Sequence, residues 1–187
     1  MADIEFDYAT IDVKQELVDI LKAQLPKKGF GDVRVLKSDP ALPSELPCIG
    51  INRISDDETQ MSIGDSIGAS YDGTGEFRHQ QGTFFNESME VRIWHTNADQ
   101  RDALYLTLRA ILFAFRLPLV EKGLRNVTLR MGRDEQDSTM QFAPSVIYWS
   151  TITLTYANPL NVDIIEDVEP ISAVIRVPAW AMNAIPA

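Results

Sequence analysis

A strand pattern that turns directly into a helix pattern restricts the fold of this chain most. Residues 83–95 alternate apolar and polar side chains, which predicts a half-buried strand. The stretch 98–117 then repeats large apolar side chains at intervals of three and four: Leu104, Leu108, Ile111, Leu112 and Phe115. Such a stripe predicts a helix that packs on the sheet. Asn97 is the predicted N-cap, and Pro118 is the predicted end of the helix.

The other periodic segments predict one more helix and four more strands. Residues 10–25 carry an apolar face between a capping Asp12 and a terminating Pro26, so they predict an amphipathic helix. The predicted strands are 32–38, 48–54, 126–131 and 145–156. This order predicts one α+β domain over 1–158. We expect an antiparallel or mixed sheet of about five strands, with two α-helices packed on one face.

A segment rich in glycine and acid, residues 55–82, interrupts the periodic pattern. Its acidic residues are Asp56, Asp57, Glu58, Asp65, Asp72 and Glu76. No basic residue occurs in this segment before Arg78. A segment with so little apolar content is not packed core, so it predicts either a disordered loop or a long hairpin that projects from the body. The alternation of Met61 and Ile63 favours the hairpin.

Residues 159–187 show no periodicity, contain four prolines and are nevertheless apolar. The large apolar side chains are Ile164, Ile165, Val168, Ile171, Val174, Ile175, Val177, Trp180 and Met182. Solvated tails are poor in such residues. The composition therefore predicts an extended C-terminal arm that docks on a protein surface, with Trp180 as its main anchor. The surface can belong to a neighbouring subunit, to a different protein or to the arm's own domain.

Charge and cysteine content exclude several classes of function. The formal net charge is -10, and the basic residues are scattered, so tight nucleic-acid binding is not expected. The single cysteine, Cys48, excludes an internal disulfide and a cysteine-based zinc site. The apolar stretch 103–120 is interrupted by Arg109, Arg116 and Pro118, so no membrane span is predicted. The N-terminal residues do not resemble a signal peptide, which predicts a protein made and assembled in a cytoplasm.

Two patterns could carry chemistry. His95 lies just before a helix whose first turns contain Asp99 and Asp102, an arrangement that could orient a general base. Ser66 is at the centre of GDSIG, which fits the nucleophile-elbow pattern. The alternative explains both without chemistry, because acids suit the positive end of a helix dipole and GDSIG lies in a polar insertion. We therefore expect no catalytic residue, no metal and no cofactor; a small hydrolase using Ser66 and His95 is the minor alternative.

The element order and acidic character resemble a known family. The residues that carry the resemblance are the helix 10–25, the unit SMEVRIWHTNADQRDALYLTLRAILFAF and the strand VIYWSTITLTYANP. Over about residues 8–158 the chain resembles the tail-terminator (tail-completion) proteins of long-tailed bacteriophages. The arm, 159–187, lies outside the minimal family pattern.

The resemblance implies a virion structural protein that forms a hexameric ring. The ring would cap the finished tail tube, stop its polymerisation and present a surface to the neck. Its partners would be further copies of itself, the tail tube protein, a neck or head-closure protein and, in a contractile tail, the sheath. DNA would pass through without specific binding, and an acidic wall would limit its sticking. Another neck, connector or head-closure component is the alternative within the virion.

Overall fold

One mixed sheet of seven strands and two long helices form the described part of the chain. This computed structural model describes residues 5–60, 66–71, 76–137 and 146–167. The strands are β1 (Glu5–Ala9), β2 (Arg34–Leu36), β3 (Cys48–Gln60), β4 (Ser66–Tyr71), β5 (Glu76–His95), β6 (Arg125–Asp137) and β7 (Ile147–Asp167). The helices are α1 (Val13–Gln24), α2 (Ala98–Ala114) and the short α3 (Arg116–Glu121). The predicted α+β class is confirmed, but the sheet has seven strands and not about five.

The long strands β5 and β7 form the centre of the sheet. They pair antiparallel without interruption from His95 opposite Tyr148 to Glu76 opposite Asp167. On the outer edge of β5, β3 pairs with one half of the strand and β4 with the other. On the outer edge of β7, β6 and β1 divide the length in the same way. Only β2 and β3 are parallel, so the sheet is mixed.

The predicted end of the last strand near residue 156 is wrong, because β7 continues to Asp167. Pro159 indicated a break, since proline gives no backbone donor to a sheet. In the structure Pro159 lies between the stretch of β7 that pairs with β6, which ends at Ala157, and the stretch that pairs with β1, which begins at Asn161. Neither β6 nor β1 has a residue paired with Pro159, so the absent proline N–H costs no hydrogen bond to these two strands. The first part of the predicted arm, residues 159–167 with Ile164 and Ile165, is therefore a sheet strand. The rest, residues 168–187, lies outside the described residues and is called the arm from here on.

Both predicted helix starts are confirmed. The Asp12 carboxylate accepts from Gln15 N at 3.0 Å, and the Asn97 side chain accepts from Gln100 N at 3.0 Å. The predicted end of the second helix at Pro118 is wrong. α2 ends at Ala114, and Pro118 lies in the first turn of α3, where a helix does not need its N–H.

The main core joins both long helices to the sheet. Buried residues of α1 and α2 share one cluster with alternate residues of the central strands, among them Ile51, Val91 and Ile152, which lie opposite one another. The cluster occupies the part of β5 that follows Ser88. Because successive strand residues point to opposite faces, Trp94 belongs to the other face. It forms a second, smaller cluster there with Cys48 and Ile147.

Within 55–82, the described residues are strands and not a disordered loop. Residues 55–60 end β3, 66–71 are β4, and 76–82 begin β5. A bulge at Ile54 shifts the register of β3 against β5 before this segment begins. Asp65 and Asp72 lie outside the described residues. The strand predicted over 126–131 is also longer than expected, because β6 continues to Asp137.

Candidate interaction surfaces

His95 marks a corner of the fold. It is the last residue of β5, and its Nδ1 accepts from Asn97 N at 2.9 Å, directly before α2. The Asp102 carboxylate accepts a hydrogen bond from Arg101 Nε at 2.9 Å, so its partner is Arg101 and not His95. Burial lowers the pKa of His95 below its ordinary value of 6.5, and the nearby Asp32 partly opposes this shift. The neutral imidazole of His95 accepts a backbone hydrogen bond through Nδ1, and this contact supports the start of α2.

Replacing His95 with Gln is expected to flatten the dependence of stability on pH. Since the pKa of His95 is lower in the folded state, the unfolded chain binds the extra proton, and stability falls as the pH falls below 6.5. Above pH 7.5 both states hold a neutral ring, and we expect a cost of about 1 kcal/mol or less. Urea unfolding at pH 5.5 and pH 8 measures both effects. If the free energy of unfolding changes between pH 5.5 and pH 8 by the same amount with and without the substitution, His95 does not have this role.

Ser66 and His95 are not brought together. Ser66 on β4 pairs with Gln81 of β5, and His95 ends the same strand. At about 3.3 Å per residue, the fourteen positions between Gln81 and His95 correspond to roughly 45 Å along the strand. A nucleophile and its base need to lie within about 3 Å of each other. Within 5–60, 66–71, 76–137 and 146–167, no group of three or more His, Cys, Asp or Glu could hold a metal ion.

The acidic residues of β3 divide between the two faces of the sheet. Asp56, Asp57 and Glu58 are consecutive on β3 and exposed, opposite Glu87, Asn86 and Phe85 respectively. Alternation along the strand directs Asp57 away from its two acidic neighbours. Glu76 pairs with Asp167 at the end of the β5–β7 ladder. Asp56 is also partly neutralised, because Arg53 Nη1 lies 3.0 Å from its Oδ2.

A buried carboxylate that the sequence analysis missed lies beside this set. Glu87 is 4% exposed and accepts from Tyr156 Oη and from Asn158 Nδ2, each at 2.8 Å. Arg53 Nη2 lies 3.4 Å from the same carboxylate. Burial and this hydrogen bond raise the pKa of Tyr156 well above its usual range, so the phenol remains a donor. The signal was available, since Glu87 has the same strand parity as the inward Met89.

Asp39 fixes the proline-rich connection 39–47 to the face opposite the main core. Its carboxylate accepts from Asn52 Nδ2 at 2.9 Å and from Arg92 Nη1 at 2.6 Å. The Arg92 guanidinium also lies over the rings of Trp94 and Trp149. A side chain at Gly50 would come within 2.9 Å of Ser38 O, so the close approach requires glycine there. This cluster has its charges paired, and it is a structural clamp.

Exposed apolar side chains form a ridge on α2 and α3, which we define as Leu106, Ala110, Phe113, Leu117 and Val120. Three of its side chains are exposed to more than half: Leu106 by 61%, Phe113 by 66% and Leu117 by 65%. Leu106, Ala110 and Phe113 share one side of α2 by their spacing. Phe113, Leu117 and Val120 line one hollow at the junction of α2 and α3, so the ridge continues across the break. The sequence contained this signal, because the segment has apolar residues around more of its circumference than one core-facing stripe needs.

A groove of about 610 Å³ separates the ridge from β6. Leu129 and Met131 of β6 form its floor together with Thr128, while Arg109 and Arg116 lie along the helix side. Among the described strands β6 pairs with β7 alone, and three of its residues border the groove. Leu129 and Met131 pair with the core residues Leu154 and Ile152, so they are on the helix-covered face of the sheet. The helix layer therefore stops short of the sheet edge.

By length and composition alone, Ala98–Glu121 could cross a membrane. In the fold this segment is interrupted at Phe115, and Leu104, Leu108, Ile111 and Leu112 of α2 are buried in the main core with the sheet. Insertion would expose that core, so the exposed side of the segment is better suited to a protein surface.

Comparison with known proteins gives no match to any protein-family model and none to a curated protein.

Proposed function

We propose that this chain is a ring-forming structural protein of a bacteriophage virion, and that it acts as the tail terminator. The proposal combines the family resemblance with one observation that carries it, the apolar ridge on an otherwise well-packed subunit. A contiguous exposed apolar surface of this kind marks a contact with another macromolecule. The function needs no chemistry beyond such contacts.

The apolar ridge and the groove beside it suit a head-to-tail assembly of subunits. The ridge and the groove adjoin one another on the subunit, and we propose that a different part of a neighbour covers them. Such heterologous contacts close into rings when the rotation between subunits divides a full turn evenly. We propose six copies, with both long helices covering the same face of the sheet in each.

The acidic segment would form the part of each subunit nearest the DNA path. Asp56, Asp57 and Glu58 are exposed. They lie opposite residues 85–87 of β5, outside the part of that strand that carries the main core. We propose that residues 55–82 form a hairpin that projects towards the lumen or onto the tube end. Negative charge there would repel the phosphate backbone during passage.

The first test of this function is the mass in solution. A ring of six chains of 21.0 kDa has a mass of six times 21.0 kDa, or 126 kDa, which sedimentation or light scattering measures directly. A monomer at all micromolar concentrations would contradict the proposal. A reconstruction of the intact virion then distinguishes the terminator from another neck or head-closure ring, because only the terminator lies directly on the last ring of the tail tube.

Replacing Asp56, Asp57, Glu58 and Asp65 with Lys is expected to impair DNA delivery while the ring still assembles. The reason is that lysines in the lumen would bind phosphates, with an affinity that falls steeply with salt. The measurement is infectivity and DNA ejection of particles complemented with the variant.

The matched control replaces the same four residues with Asn or Gln, which removes the carboxylates and adds no positive charge. This control should deliver DNA nearly normally. Normal delivery by the lysine variant, in rings of normal mass, would contradict a position in the lumen.

A further inference from the structure

We propose that the groove between the apolar ridge and β6 is the docking site for residues 168–187 of a neighbouring copy of this chain. The inference rests on the proposed ring function and deepens it, because it assigns a receptor surface to the arm. The ridge and the groove supply the receptor, and the composition of 168–187 supplies the ligand.

The groove has the chemistry of a receptor for an apolar extended segment. Its floor and one wall are apolar, formed by Leu129, Met131 and Phe113. The outer edge of β6 also offers backbone N–H and C=O groups that can pair with an added strand. An extended peptide laid along β6 would thus gain main-chain hydrogen bonds and bury alternate side chains against the ridge.

The segment 168–187 matches these demands in composition. Eight of its residues are large and apolar, and the charged ones are Glu169 and Arg176. The groove presents Arg109 and Arg116 on its helix side, so Glu169 of the segment would have a cationic partner there. The Arg116 guanidinium lies over the Phe113 ring, which places a positive charge directly beside the exposed aromatic side chain.

The direction of β7 favours a neighbour over the same subunit. The groove residues Thr128 and Met131 lie level with Thr155 and Ile152 of β7, whereas the strand ends at Asp167. Twelve or more residues of strand, roughly 40 Å, separate the groove from the point where the arm begins. β7 runs away from the groove as far as Asp167. Its 20 residues can span at most about 65 Å, which is enough to reach an adjacent copy.

The test uses cysteine pairs in the full-length chain. Cys48 is buried, and its pKa is raised to about 12 by burial, so the native thiol gives little background. One population carries Met131→Cys in the groove, and a second carries Ala179→Cys or Ala173→Cys in the arm, with a different tag on each population. After mixing and mild oxidation, a disulfide-linked heterodimer between the two tags is the expected product.

A chain that carries both Met131→Cys and Ala179→Cys distinguishes the two possible directions. A disulfide within one chain, with no cross-linked heterodimer in the mixture, would overturn the proposal in favour of docking on the same subunit. Absence of any cross-link at both arm positions would also overturn it. If rings of 126 kDa persist in either case, the proposed function stands and only this inference fails.

Loss of the receptor gives the second readout. Phe113→Ser with Leu117→Ser should raise the concentration needed for half-assembly at least tenfold, with an unchanged circular dichroism spectrum. Leu42→Ser is the matched control, since Leu42 is exposed by 58% and does not line the groove. Unchanged assembly of the ridge variant would overturn the proposal. So would binding of the full chain to phosphatidylcholine vesicles that Phe113→Ser abolishes, because the ridge would then be a membrane surface.

Discussion

A chain truncated after Asn158 is expected to lose most of its stability, whereas a chain truncated after Asp167 is expected to remain folded. The shorter chain lacks residues 159–167, which pair with β1 on one side and with the first half of β5 on the other. Its loss leaves β1 without a partner among the described strands and removes nine positions from the central ladder. We expect a loss of several kcal/mol, comparable with the roughly 5–15 kcal/mol that stabilises a typical domain.

Urea unfolding followed by far-ultraviolet circular dichroism compares the two truncations with the full chain. The truncation after Asp167 is the matched control, because it removes the arm and keeps every described strand. Equal unfolding midpoints for both truncated chains would show that residues 159–167 contribute nothing to the sheet. Assembly of the longer truncated chain, measured by sedimentation, then reports on the arm alone.

Replacing Glu87 with Ala is expected to lower the free energy of unfolding by about 2–4 kcal/mol. The substitution leaves Tyr156 Oη, buried in the fold, without its acceptor, and it removes one of the two carboxylates beside Arg53. Asn158 keeps one acceptor, because its Nδ2 also donates to Ile11 O at 3.0 Å. The desolvated phenol is therefore the largest part of the expected loss.

Glu58→Ala is the control for Glu87→Ala. Glu58 is exposed on the neighbouring strand, so its removal should change stability by less than about 0.5 kcal/mol. A double variant, Glu87→Met with Tyr156→Phe, removes both polar partners and should recover part of the loss. If Glu87→Ala is as stable as Glu58→Ala, then the buried network does not hold this end of the core.

The sequence predicted the helices well because their signals are local. The capping side chains Asp12 and Asn97 act within three residues of themselves, and the core-facing stripes repeat within a few turns. Strand ends were predicted less well because they depend on partners far along the chain. β7 extends past Pro159 only because β5 and β1 pair with it, and β1 is about 150 residues away in sequence.

The candidate surfaces show the same division between local and distant signals. The apolar ridge follows from residue spacing within one helical segment. The groove could not be predicted, since it requires β6 to lie beside α2 at the edge of the sheet. The clamp at Asp39 depends on Arg92, which is 53 positions away, and no pattern around either residue indicates the contact.

The central position of β7 has a consequence for how the chain folds. Its pairs with β5 join residues that are 53 positions apart at His95–Tyr148 and 91 apart at Glu76–Asp167. Contacts between such distant residues close slowly, because loop entropy is lost before any pairing energy is gained. β7 also leaves the ribosome after every other described element. The sheet can close only after β7 has been synthesised, and until then the inner edge of β5 stays open. We expect chaperone dependence and aggregation to be greatest in that interval.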